Sequence, residues 1–398
     1  MIDNRRLTIK KMKDYRVAIV FAGLALLILL GSCRKKKPSG NGTSAVDRIS
    51  TVTELKYAKG FTVKTLENGM RLVDVADPQQ DGEKMPATYH FALVERGCQE
   101  SVPEGYTTVE VPVERTIVMT MLQLSNFTAL DAHDVVKGIT GTKNLYNKDI
   151  LRRVKDGSIV KIGMEGNFDT ELIMAAQPQV IFISPFKRGG YDALRETGVV
   201  LIPHLGYKEL DPLGQAEWVK YVAMFLGKER EAEELFAGIE SRYNTLKAKA
   251  SDFKPEERPT VFSGEMHGGN WFAVGGRNYL AQIFRDAGAT YVLDDENTGG
   301  VPIEYEKMYA TAANADYWRI LNSFPGDFSY EALKASEPRN ELFKAYKERH
   351  VIYCNMKQTP YYEISPVEPD KVLADFVAIF HPELMPEDYQ PTFYKLLE

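Results

Sequence analysis

The sequence predicts an α/β protein: two Rossmann-like lobes joined by a long helical connector, with a small β-rich extension before them. Three observations carry this. From Arg115 onward, short apolar strands alternate with helical stretches, which is the pattern of a parallel sheet covered by helices on both faces. No proline occurs from Leu213 to Lys254, and Ala216, Val219, Val222, Ala223 and Leu226 fall at helical spacings of three and four. After Pro255 and Pro259 the strand–helix alternation resumes and runs to Phe380.

Taken in order, residues 57–113 carry short β-like runs such as Gly60–Val63, Met70–Val73 and Thr88–Val94, with turn signals at Asn68-Gly69 and Asp81-Gly82. These are expected to form hairpins, the β-rich extension. Lobe one is expected over 114–213, with strands at Thr116–Met119, Val135–Ile139, Gln179–Ile183 and Val199–Pro203 and helices at Gln123–Leu130, Phe168–Ala176 and Tyr191–Thr197. The connector covers 214–254, interrupted at Gly227. Lobe two covers 255–398, with strands at Thr260–Phe262, Asp316–Leu321 and His350–Cys354 and helices at Asn278–Ala287, Glu337–Tyr346 and Asp370–Phe380. Open α/β sheets bind ligands beyond the carboxyl ends of their strands, so two facing lobes predict a cleft. A connector of this length is stiff, and only modest lobe movement is expected.

The N-terminus reads differently. Basic residues precede an apolar run, Val17 to Leu30, which is shorter than the roughly 20 residues a spanning helix needs and fits the core of an export signal. It ends in Leu30-Gly31-Ser32-Cys33, which resembles the lipobox of bacterial lipoproteins. That resemblance implies removal of residues 1–32, a diacylglycerol on Cys33, and a lipid anchor outside the cytoplasmic membrane. Residues 33–56 are then expected to be a tether, basic at Arg34–Lys37 and rich in Pro, Ser, Gly and Asn.

At 44% apolar and 26% charged, the chain is globular rather than disordered. The net charge is −6, and residues 1–32 contribute +4, so the mature chain stands at −10. Such acidity argues against a nucleic-acid partner. No Gly-x-Ser-x-Gly elbow, P-loop or His-Glu-x-x-His is present, so no enzyme and no resident cofactor are expected. Cys98 and Cys354 are compatible with a bridge or with buried thiols.

Several stretches, in this order, resemble the substrate-binding proteins of ABC importers for ferric siderophores, haem and cobalamin, the helical-backbone class of periplasmic binding proteins. They are Arg115–Val118 with Ala129–Ala132, Phe168–Ile173 with Gln177–Ile181, Asp211–Trp218, Gly275–Leu280 with Asp286–Ala289, and Ile379–Leu384. Gln179 stands where the family usually has Asp. The resemblance implies a monomer that captures a chelated iron compound, a ferric siderophore first and haem or cobalamin as alternatives. It would deliver this ligand to a permease and its ATPase on the periplasmic side of a membrane. By motif position it makes Glu171 and Glu306 the permease-docking acids.

Ligand contacts are expected from loops after the strands. Lys187, Arg188 and Arg277 supply charge, and Phe186, Tyr207, Trp271 and Tyr361 supply rings, a combination suited to anionic chelates. His204 and His267 each follow a strand, one in each lobe, and a facing pair would favour a haem or metal chaperone. No close His/Cys/carboxylate cluster marks a bare-metal site.

Overall fold

The computed structural model describes residues 49–79, 89–98, 100–164, 167–185 and 191–398. In the extension, β1 (Ile49–Thr53), β2 (Phe61–Leu66), β3 (Arg71–Val75) and β4 (Tyr89–Glu95) pair antiparallel in sequence order, and β5 (Thr107–Val111) joins β4 in parallel. The sheet thus begins at Ile49, inside the stretch expected to be tether. β1 is an edge strand recruited by its hydrogen bonds to β2, and its mostly exposed side chains carry no burial signal. Alternation buries both faces of the sheet. Phe61, Val63, Val73 and Phe91 face the connector, while Leu66, Met70, Leu72 and Val94 form a small outer core.

Lobe one runs β6 (Thr116–Val118), α1 (Met121–Ala129), β7 (Val136–Ile139), α2 (Lys148–Lys155), β8 (Val160–Lys161), a hairpin of β9 (Gly163–Met164) and β10 (Asn167–Phe168), α3 (Thr170–Ala175), β11 (Val180–Ile183), α4 (Asp192–Glu196) and β12 (Val200–Pro203). Its parallel sheet has the order β12-β11-β6-β7-β8. The connector is two helices, α5 (Pro212–Leu226) and α6 (Glu229–Ser251). Asp211 caps α5 through the amides of Leu213 and Gly214, and Pro212 occupies its first turn. Nearly every residue of α5 is buried, as expected for a helix surrounded by protein.

Lobe two runs β13 (Thr260–Ser263), β14 (Glu265–His267), β15 (Asn270–Val274), α7 (Tyr279–Asp286), β16 (Thr290–Tyr291), β17 (Gly300–Ile303), α8 (Tyr305–Ala312), β18 (Tyr317–Asn322), α9 (Tyr330–Ser336), α10 (Lys344–Lys347), β19 (Val351–Asn355), α11 (Tyr361–Ile364), α12 (Pro369–Phe380) and β20 (Lys395–Leu396). Its main sheet has the order β16-β13-β18-β19-β20, with only β20 antiparallel, and β14-β15-β17 form a second, antiparallel sheet. The single helix expected over Glu337–Tyr346 is broken, because Pro338 starts a 3-10 turn, Pro338–Leu342, between α9 and α10. No disulfide joins Cys98, which is exposed, to Cys354, which is buried in β19.

Two buried carboxylates fix the extension to the connector. Glu217 of α5 is fully buried and accepts the backbone N–H of Lys56 (3.2 Å), Tyr57 (2.9 Å) and Ala58 (2.9 Å), with Lys220 Nζ at 3.3 Å. Glu209 accepts the N–H of Lys59 and Gly60 and the indole N–H of Trp218, each at 2.9 Å. A side chain on Gly60 would meet the Trp218 ring at 2.6 Å, so the strand approaches this closely only through glycine. On the other side of Trp218 lies His204, fully buried, with ring centroids 4.8 Å apart. His204 is therefore core rather than ligand, and it does not face His267. Burial holds its imidazole down at about 3, so the ring is neutral.

Glu217→Ala is expected to destabilise the fold by about 3–5 kcal/mol, because it strands buried N–H groups and leaves Lys220 without a partner it now has. The shift in urea midpoint measures this, and faster amide exchange at 56–58 locates it. For His204 the folded value lies below the ordinary value of about 6.5, so its contribution is present above pH 6.5 and is lost as pH falls toward 3. A His204→Gln variant should lack that slope, about 1.4 kcal/mol per pH unit between pH 6 and pH 4. Urea midpoints across this range compare the two proteins.

Candidate ligand-binding cleft

The parallel strands of both sheets end toward one interface. There Tyr146 and Asn147, between β7 and α2, donate their backbone N–H groups to the Glu363 carboxylate of α11, and Tyr146 donates its hydroxyl to the carbonyl of Met356 at 2.8 Å. Burial pushes the Glu363 carboxyl up, and these two amides pull it back.

Above the ends of β13 and β18 a cavity of about 380 Å³ opens in lobe two, lined by Glu265, His267, Phe272, Val274, Arg319 and Leu321 among others. Its corner is Gly264, at φ +100°, where a Cβ would stand 1.9 Å from the carbonyl oxygen of Phe272. Only glycine lets the chain turn from β13 into β14 here.

Arg319 is the chemical centre of this cavity. It is 7% exposed. Its Nε donates to the Tyr394 hydroxyl at 3.0 Å, its Nη2 donates to the same oxygen, and the guanidinium lies 5.1 Å from the Tyr394 ring centroid. Burial works against its charge, but the oxygens of Tyr394 and Tyr361 outweigh this and shift it upward, so it stays cationic. Among the described residues no carboxylate lies within ion-pair distance of it, and its Nη1 hydrogen-bonds no described group. Glu265, on the same cavity wall, is pushed up by burial, while its hydrogen bond from Asn322 at 3.2 Å and the Arg319 charge pull it back. The platform beneath Arg319 is built by Asp375 of α12. This fully buried carboxylate accepts the N–H of Thr392 (2.8 Å), Phe393 (2.6 Å) and Tyr394 (2.9 Å) and the hydroxyl of Tyr389 (2.6 Å), tying the C-terminal segment under the sheet.

The residues singled out from the sequence fall in several places. His267 lines the cavity, on the exposed end of β14. Trp271, expected in the cleft, is fully buried in the lobe-two core against Trp318 and Phe343, its N–H donated to the Ser263 carbonyl at 2.9 Å. Neighbours on a strand face opposite ways, so the ring on the cavity is Phe272, which is 45% exposed. Tyr361 is 2% exposed and packs edge-on against Phe393 and Tyr394, so it belongs to the cage behind Arg319 rather than to an accessible wall. Arg277 lies outside the cavity, on an exposed turn, paired with Glu296 at 2.8 Å. Tyr207 sits half-buried after β12, where burial and the nearby Asp77 push its phenol up. Cys33, Phe186, Lys187 and Arg188 lie outside the described residues.

Glu171 and Glu306 are exposed in the first turns of α3 and α8. Each helix precedes a parallel strand, so each begins at the same edge where the strands end. Glu306 pairs with Arg339 at 2.9 Å. Arg319 was missed by sequence reasoning. The available signal was a lone cation inside the apolar strand Trp318-Arg319-Ile320-Leu321.

Similar proteins fit this architecture. A lipoprotein of Methanocaldococcus jannaschii is 27% identical over 387 residues, covering 89% of this chain and 90% of its own, and a second lipoprotein of that organism is 26% identical over 76% of this chain and 79% of its own. A periplasmic heme binding protein from Pseudomonas aeruginosa has the same fold (TM-score 0.56, 17% identity, 72% of this chain and 98% of that one). So does a TroA-like periplasmic binding protein from Veillonella parvula (TM-score 0.54, 18% identity, 72% and 95%). The model of the periplasmic binding protein family matches residues 120–357, more than half of the chain, and the protein is a member of that family.

Proposed function

We propose that this protein is the substrate-binding component of an ABC importer. It captures a chelated iron compound in the inter-lobe cleft and delivers it to a permease driven by an ATPase, while held outside the cytoplasmic membrane by a lipid on Cys33. A single observation carries the ligand class: Arg319, a buried cation with no acidic partner among the described residues, opens on the cavity. A desolvated guanidinium seeks a paired, hydrogen-bonded anion. Hydroxamate, catecholate and carboxylate oxygens all provide one. Phe272, Val274 and Leu321 supply apolar wall for the arms of such a chelate. Ferric siderophores come first, and haem, with its carboxylates, is the alternative. The family membership and the binding proteins of like fold, which include one for Fe3+-hydroxamate transport from Saccharomonospora viridis, support this reading.

Titration of the full chain with ferric hydroxamates, ferric catecholates, haem and cobalamin is expected to give one saturable ligand with a sub-micromolar midpoint, better than about −8 kcal/mol. Arg319→Ala should weaken that ligand at least ten-fold, about 1.4–3 kcal/mol, while Arg319→Lys loses less. Saturable binding that Arg319→Ala leaves unchanged would remove Arg319 from the site. Glu171 and Glu306, at the cleft edge of each lobe, are proposed to dock on the permease. Reversing both charges should leave ligand affinity unchanged and reduce ligand-stimulated ATP hydrolysis by the reconstituted transporter several-fold.

A further inference from the structure

The β-rich extension touches both lobes at the rim of the cleft. After β3 the chain leaves the sheet and crosses to the loop that follows β12. Asp77 pairs with Lys208, and Gln79 Nε2 donates to the Lys208 carbonyl at 2.8 Å. The other end of the same amide reaches lobe two, where Gln79 Oε1 accepts the Thr298 hydroxyl at 2.9 Å. The Gln79 backbone N–H is itself held by Asp77 Oδ1 at 3.0 Å. Lys208 closes the turn Gly206–Lys208 beyond the carboxyl end of β12, and Thr298 stands two residues before Gly300, which lines the cavity. One primary amide therefore spans the two lobes at the cavity's edge.

Its position in the sheets gives this contact its meaning. β12 and β16 are each an outermost strand of their own sheet, and β7 and β19 lie three strands from those edges. The Tyr146–Glu363 and Tyr146–Met356 contacts pin the lobes where β7 and β19 end, and Gln79 pins them on the β12 side. The lobes also meet where α1 packs on α11 and through a shared apolar core, so Gln79 is the bridge that the extension adds to the direct contacts between them.

We infer that the extension, though it does not line the cavity, supplies in Gln79 a positioning residue that latches lobe one to lobe two. Opening the cleft requires the amide to release Thr298 or Lys208. The extension thereby restrains the lobes and slows exchange of whatever the cleft holds. This inference builds on the cleft described above, and its test does not need the ligand.

The test uses the full chain in detergent, with Cys98 replaced by serine and nitroxides at Ser158→Cys in lobe one and Thr311→Cys in lobe two, both exposed positions. Pulsed electron resonance reads the inter-lobe distance. With Gln79 present, one narrow distribution is expected. Gln79→Ala should broaden it or shift it by several ångströms, Thr298→Val should do the same, and the double variant should add nothing further. With haemin as the probe, Gln79→Ala should also raise the dissociation rate several-fold. Distributions that stay narrow and unshifted in both single variants overturn the latch. Distributions that broaden, in a protein binding neither haemin nor a ferric hydroxamate, support the latch and count against the iron-chelate reading alone.

Discussion

The geometry of the whole molecule depends on two carboxylates buried under Trp218. Glu209 and Glu217 between them accept five consecutive backbone N–H groups, Lys56 to Gly60. The bent segment Lys56–Gly60, arriving at a helical connector, has no ladder partner for its amides, and an unpaired buried N–H is expensive. The two acids solve this, and Lys220 with the Trp218 indole satisfies much of what remains on them. The clasp thereby orients the start of β2 and, beside it, the end of β3, where Val75 faces Phe61 and the Ala76 N–H meets the Gly60 carbonyl, so Asp77 and Gln79 leave for the cleft next to the clasp itself. A contact at the connector thus decides what stands at the rim of the cavity.

Similar proteins divide along the same line. Solved structures of like fold cover 66–75% of this chain but nearly all of their own. The archaeal lipoprotein matches 89% of it, leaving outside the match fewer residues than the extension contains. The extension is therefore shared with that relative at least in part, and the two-lobe scaffold is the common core.

Much of the fold was legible in the sequence because parallel strands buried on both faces read as continuous apolar runs. The strands at Thr116, Val180, Thr260 and Val351 all announced themselves this way. The failures have specific physical causes. β1 is held by main-chain bonds and exposes its side chains. Pro338 breaks a helix whose apolar spacing otherwise persists. Glu217 sits in a stretch whose neighbours form an apolar stripe, and nothing in its spacing shows that its carboxylate turns inward to bind backbone. At the site, choosing Trp271 over Phe272 was a choice of face, and a one-residue difference on a strand reverses the face. Arg319 was hidden because its strand was read as core, and a core position can still open on a cavity.

The site's electrostatics follow from where its one deep cation rests. The chain carries a net charge of −6, yet the cavity presents a guanidinium near a Glu265 whose carboxyl burial pushes up. Had Glu265 been close enough to pair with Arg319, the two would have neutralised each other. Arg319 instead hydrogen-bonds a phenol, and the Glu265 carboxyl feels its charge without closing to salt-bridge distance. That phenol is in place because Asp375 gathers the C-terminal amides, so the last residues of the chain are part of the site's construction. A pocket built in this way keeps a buried guanidinium on its wall, the feature on which the proposed capture of an anionic chelate rests.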